Sequence, residues 1–305
     1  MTFDTRLLTG AGVLAAVTDT GNFARAAKML GLTPSGVSRA VARLEARIGV
    51  RLFDRNARDV VLTEEGLRFH AQVMPLLAGL EEAAAQAAGT AVLINGRLRV
   101  SVDPWFARTV LASRMQEFLA RYPLLSVDLT TSNYREEMMA GIDVAVRFGP
   151  PDTSSLIARQ MLEVPVLTCA SPAYLEKHGM PATPHDLEHH EVLLFRDPQT
   201  GRPFSWEFHR GGKVIEIQTP TGRFMTDDPS AALSACIAGQ GIFQSLGIGM
   251  APFFARGELV QILADWSDER YPLIAYHPSR HLPPAKVRAF LDFVREISAG
   301  ATALY

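Results

Sequence analysis

The sequence predicts a chain of the α/β class in three consecutive parts, and three observations carry that expectation. The first 62 residues hold short helical patterns, a hairpin pattern and a local excess of positive charge. Residues 63–89 read as one long helix. From residue 90 to residue 305, strand patterns alternate with helical ones, which argues for a mostly parallel sheet. A chain of 305 residues is too long for a single core of ordinary size, so two or three domains are expected. Its longest apolar runs, such as 11–17, fall far short of the ~20 residues a membrane helix needs. No basic run precedes that segment, so no secretion signal is expected. Cys169 and Cys236 are the only two thiols, which suits a reducing cytoplasm and buried structural roles.

The net charge of −2 hides an asymmetry. From Met1 to Arg58, nine Lys and Arg stand against four acids, a surplus of five that leaves the remainder at −7. A small basic head on an acidic body is expected to meet a polyanion.

Within the head, "NFARAAKMLGL" reads as a short amphipathic helix with Ala26, Ala27 and Leu30 turned inward and Gly31 ending it. The next helix begins three residues later. Thr33 can cap it, and Pro34 fits its first position, where a missing N–H costs nothing. Val37, Val41, Leu44 and Ile48 then form one apolar face. Ser35, Arg39 and Arg43 fall on the opposite face, with Ser38 and Ala42 at one flank, so nothing bulky holds the backbone away from a surface. Helix, tight glycine-containing turn and exposed second helix are the parts of a helix-turn-helix. "VRLFDRNARDVVLT" follows as a two-stranded wing with Asn56 and Ala57 at its tip and Arg55 and Arg58 beside it. The exposed helix has the diameter to enter a major groove, and a wing arginine suits a phosphate or a narrow minor groove.

The long helix opens on Thr63, Glu64 and Glu65, a cap followed by acids in the first turn, and Pro75 predicts a kink. Leu67, His70, Met74, Leu77 and Ala84 approximate a stripe that is expected to pack on a partner chain or on the body. In the body, "GRLRVSV", "LLSVDLTT" and "IDVAVRF" read as strands, with helices over 104–121 and 135–141. "HEVLLF", "KVIEIQT", the helix "DPSAALSACIAG" and "GIFQS" form a second set, and "YPLIAYHP" with the terminal helix 284–297 returns to the first.

The stretch "NFARAAKMLGLTPSGVSRAVARLEARIGVRLFDR…VLTEEG" resembles the DNA-binding region of the LysR-type transcriptional regulators almost position by position. "IDVAVRFG", "LTCASPAYLEKHGMPATPHDL", "GIFQS" and "RGELVQIL" extend the resemblance to that family's effector-binding domain, so it covers essentially the whole chain. It implies a winged helix-turn-helix, a dimerising linker helix, and a C-terminal domain of two α/β subdomains like a periplasmic binding protein. The subdomains would cover about 96–164 with 270–300, and about 165–269. The implied partners are double-stranded promoter DNA, a small-molecule inducer and further copies of the chain in a homodimer or homotetramer, with RNA polymerase as a protein partner at the promoter. By match to the motif, Pro34, Ser35, Ser38 and Arg39 would meet the groove, Thr33 would hold a phosphate and Arg58 would act from the wing. Arg43 and Arg55 add phosphate contacts. Ala11 and Gly12 stand where the family usually has larger residues, and Gly10 adds a helix penalty of about 1 kcal/mol, so the first helix is expected to be short or shifted. Phe243 replaces a usually small residue, and the usual proline after that strand is absent, so a reshaped inducer pocket is expected.

That pocket should lie where strand ends face helix N-termini between the subdomains. Its expected residues are Asp103, Pro104, Trp105, Ser132, Asn133, Phe148, Phe195, Thr226, Asp227 and Gln244. Asp103 stands where the family often holds a carboxylate on free N–H groups; it is expected to cap the helix at Pro104 and to favour a donor-bearing or neutral ligand. No enzyme is expected, because the G-x-S-x-G, P-loop and H-E-x-x-H patterns are absent and "GQGIFQSLGIG" fails the dinucleotide spacing. No cofactor or metal is expected either: His185, His189 and His190 lie close together but lack further ligands.

Overall fold

The computed structural model of the chain describes residues 4–54, 60–87, 94–133, 142–150, 157–198, 200–217, 222–277 and 283–302. Three helices build the head: α1 (Thr5–Thr20), α2 (Phe23–Leu30) and α3 (Pro34–Ile48). Asp4, Asn22 and Thr33 each cap one of them by accepting from backbone N–H groups of the first turn. Leu14, Val17, Ala26, Ala27, Val37, Val41, Leu44 and Leu52 close the core between them. Two expectations change here. Despite its glycines, α1 is an unbroken helix of 16 residues. Gly10 is the residue that lets α1 lie against α3, since a Cβ there would stand 2.9 Å from Leu44 Cδ1. Leu30 is 37% exposed rather than turned inward: α2 ends at Gly31 in the left-handed region, and of its residues only Ala26 and Ala27 are buried.

After α3 the chain pairs with itself in a short ladder. Phe53 bridges Leu62, Asp54 N donates to Val61 O (2.9 Å) and Thr63 N to Leu52 O (3.0 Å). These bonds form the base of the wing; its tip, with Arg55 and Arg58, lies outside the described residues. Thr63 Oγ1 then accepts from Gly66 N (3.0 Å) and starts α4 (Glu64–Ala87), which runs on through Pro75. At ~1.5 Å per residue its 24 residues span about 36 Å. Among the described residues no helix is long and apolar enough to cross a membrane.

The body is one continuous mixed sheet with helices on its faces. Its strands are β1 (Gly96–Val102), β2 (Leu125–Thr131), β3 (Val144–Phe148), β4 (Ile157–Ala170), β5 (Val192–Phe195), β8 (Phe224–Thr226), β9 (Ile242–Leu246), β10 (Val260–Ile262) and β11 (Arg270–His277). A separate hairpin joins β6 (Trp206–Arg210) to β7 (Lys213–Ile217). The order is β2-β1-β3-β11-β4-β9-β5-β8, with β10 also on β4. The sheet is not mostly parallel: β1 pairs in parallel with β2 and β3, and β5 with β8 and β9, but β4 and β11 run antiparallel to their neighbours. The reason is β4, which runs the length of both halves. Its first part lies beside β11 and its last residues, Val166 to Cys169, lie beside β9.

Helices α5 (Pro104–Phe106) and α6 (Ala112–Arg121), joined by a wider π-type turn, cover the first half together with α10 (Ala285–Thr302). Helices α7 (Pro172–His178), α8 (Pro229–Ile237) and α9 (Ala251–Ala255) belong to the second. The expected helix 135–141 lies outside the described residues.

Candidate nucleic-acid interface and ligand cleft

The apolar spacing of α3 fixes which face is free. Val37, Val41 and Leu44 are buried, so Thr33, Pro34, Ser35, Ser38, Arg39, Ala42 and Arg43 are all exposed together. Thr33 Oγ1 accepts from Gly36 N (3.1 Å) and lies 3.2 Å from Ser35 Oγ, which holds the first turn in place. Arg39 Nε donates to Ser35 O (3.3 Å), laying that guanidinium along the same face. Arg47, four residues past Arg43 in the arginine series, is instead taken by Asp4 at 2.9 Å and ties α3 to the start of α1.

Sequence reasoning missed Glu45. Its Oε1 accepts from Leu52 N (2.8 Å) and Phe53 N (3.2 Å), fixing the angle at which the wing leaves α3. The signal was a lone acid among arginines. The surface so built carries short polar side chains and guanidinium groups and has no bulky side chain in its way. It can approach a phosphate backbone and read base edges.

A cleft of about 630 Å³ opens between the two halves of the body. Six of the expected residues line it: Asp103, Trp105, Asn133, Phe148, Phe195 and Gln244. The other four do not. Pro104 is the first residue of α5; Ser132 is 9% exposed; Thr226 Oγ1 accepts from Asp228 N (3.0 Å); and Asp227 gives its carbonyl to Asn133 Nδ2 (2.9 Å). Asn133 follows β2 and Asp227 follows β8, so that bond ties one half to the other. So does Trp105, buried in the core, whose Nε1 donates to Ile248 O (2.8 Å). Phe243 is buried at the base of the cleft, while Phe195 stacks on Phe204 at 6.0 Å.

Electrostatics distinguish the cleft further. Asp103 Oδ1 accepts from Trp105 N (2.8 Å) and Phe106 N (3.1 Å), which confirms it as the cap of α5. Burial pushes its carboxyl up to about 6, against the pull of those two donors and of Arg147. Arg147, only 2% exposed, donates to Ser101 O (2.7 Å), Ser101 Oγ (2.6 Å) and Val146 O (3.0 Å). Burial also raises Glu269, another lining residue, with His209 opposing the effect and Glu207 adding to it. Arg147, Glu207 and Glu269 were missed, since nothing in their local sequence distinguishes them from solvated charges.

A small winged-helix head carrying a basic reading helix, joined by a long helix to a two-part body with a cleft between its halves, defines a DNA-binding regulator with a small-molecule domain. Known proteins bear this out. Residues 10–67 match the family described as "Bacterial regulatory helix-turn-helix protein, lysR family", and residues 92–299 match the "LysR substrate binding domain". The chain is 35% identical over 294 residues to an HTH-type transcriptional repressor of Pseudomonas aeruginosa (strain UCBPP-PA14), covering 96% of this chain and 92% of that one. It is 31% identical over 287 residues to the HTH-type transcriptional regulator CrgA of Neisseria meningitidis serogroup C (strain 8013), covering 93% and 94%. A solved structure of CrgA, a LysR-type regulator from Neisseria meningitidis, superposes with a TM-score of 0.61 at 29% identity over 97% of this chain and 99% of that one. The chain belongs to the LysR-type transcriptional regulators. It is a DNA-binding protein with an effector-binding domain, and both of these relatives are named for transcriptional regulation, not for an enzymatic activity.

Proposed function

We propose that the chain binds a pseudo-palindromic promoter site as a homodimer or homotetramer and shifts its DNA contacts when a small-molecule inducer fills the cleft. Residues 1–62 act as the reader, 63–89 as the dimerising linker and 90–305 as the sensor. The observation that carries the reading is the free face of α3, where Thr33, Pro34, Ser35, Ser38, Arg39 and Arg43 stand exposed side by side. Arg55 and Arg58 complete it from the wing. A second copy of the chain is supported by α4, on which Leu76 and Leu80 stand 69% and 57% exposed, an unsatisfied apolar edge on a long helix. Asp103, Trp105, Asn133, Phe148, Phe195 and Gln244 form the inducer site, and the protein works in the cytoplasm beside RNA polymerase.

The test is a genome-wide pull-down of sheared DNA by the purified protein, with a Ser38→Ala/Arg39→Ala variant alongside. Enrichment of a short inverted repeat by the wild type alone is expected, with half-sites spaced by helical turns. Equal enrichment by both proteins, or none by either, overturns the reading.

A further inference from the structure

We infer that the cleft takes a cationic ligand, an amine on an aromatic or apolar body, rather than a carboxylate; this rests on reading the cleft as the effector site. The first support is that the backbone donors at the start of α5 are already occupied. An anionic ligand at that spot would need Trp105 N and Phe106 N, and Asp103 Oδ1 holds both, at 2.8 and 3.1 Å. The chain thus carries its own anion there, and a second carboxylate would meet it in a poorly solvated place.

The second support lies in the rest of the lining. Glu269 and Glu207 line the same cleft. The Glu207 carboxylate is paired with His209 Nε2 at 2.9 Å, whereas no hydrogen bond to the Glu269 carboxyl is seen among the described residues. Both Asp103 and Glu269 are raised by burial, the state of a carboxylate that gains when a cation arrives.

The third support is the disposition of the lining cations. Arg147 lies near enough to Asp103 to pull on its carboxyl, and its guanidinium donates to Ser101 and Val146. Arg202, which also lines the cleft, is exposed to solvent. Aromatic faces complete the picture: Phe195 and Phe204, stacked on each other in the cleft lining, can hold an ammonium group or a flat body.

The test uses the full chain and three probes, phenethylamine, tyramine and 3-phenylpropionate, by calorimetric titration and thermal shift. Both amines are expected to bind and to raise the melting temperature, and 3-phenylpropionate is not. Asp103→Asn keeps the helix cap but removes the charge, and should weaken the amines at least tenfold. Glu269→Gln should weaken them as well, without loss of the folded state. Preferential binding of 3-phenylpropionate, lost in Arg202→Ala, overturns the inference and leaves the effector reading intact. Binding of none of the three probes also overturns it. A cleft-filling Gln244→Trp variant then decides the underlying reading: unchanged regulation of a reporter fused to the enriched operator would remove the cleft as the effector site.

Discussion

Asp103 shows how much can turn on one carboxyl. Its folded-state value of about 6 lies above the ~3.9 of an unfolded chain, so the folded state holds its proton more tightly. Stability from this group is therefore full below about pH 4 and falls as pH rises towards 6. Asp103→Asn should raise stability by roughly 1 to 3 kcal/mol at pH 8 and by nothing at pH 4, measured by denaturant titration at both values. Glycines give a second residue-scale expectation. A Cβ on Gly66 would stand 2.1 Å from Leu52 O at the base of the wing, so Gly66→Ala should cost on the order of 2 kcal/mol or more. Gly12 has open space around it inside α1, so Gly12→Ala should stabilise by about 0.5–1 kcal/mol. The sequence marks both Gly10 and Gly12 only as weaknesses of the first helix. The difference between a glycine packed on Leu44 and one facing open space exists only in three dimensions.

At the scale of elements, the head and the body are joined by polar contacts as well as by α4. Arg99 on β1 donates to Thr18 O on α1 (2.9 Å), and Thr18 Oγ1 meets His70 Nε2 on α4 (3.1 Å). Lys286 on α10 pairs with Asp143 at 2.9 Å beside them. Burial, with Arg99 assisting, holds His70 down at about 4. The unfolded chain takes up that proton near pH 6.5, so stability from this group is full above 6.5 and falls as pH drops towards 4. Its slope opposes that of Asp103 over nearly the same range, so the wild-type curve conceals both. His70→Gln should uncover the Asp103 slope, seen as a melting temperature that gains on the wild type as the pH is lowered from 7 to 5. For α4 itself, Leu76→Glu with Leu80→Glu should convert oligomer to monomer in sedimentation experiments; an unchanged mass would remove α4 from the interface.

Elements were unequally legible in the sequence. The caps, Pro34 and the period of Val37, Val41 and Leu44 are local signals, so α3 was read with its free face. The 14-residue β4 was not read as one strand, because Pro165 interrupts it and its hydrogen-bonding partner changes there from β11 to β9. That partner change is a long-range fact, and with it the mixed character of the sheet was missed. Asp103 and Trp105 are legible from the end of β1, whereas Glu269 reaches the cleft only because β11 returns through the middle of the sheet.

At the scale of the whole molecule, the charge asymmetry becomes a measurable property. Each phosphate neutralised by the reading face releases counterions, so binding should weaken steeply with salt. Arg43→Ala removes one contact per protomer and should make the slope of log K against log salt shallower by about 2 in a dimer. The reading face of α3 and the cleft belong to different parts of the chain, and the proposed function requires that they communicate. The most direct measurement is a footprint of the enriched operator, by wild type and by Gln244→Trp, with and without the small molecule that binds the cleft. The wild-type footprint should change length or position on ligand addition, and the Gln244→Trp footprint should stay fixed. A wild-type footprint identical in both conditions, with the ligand demonstrably bound, would contradict it.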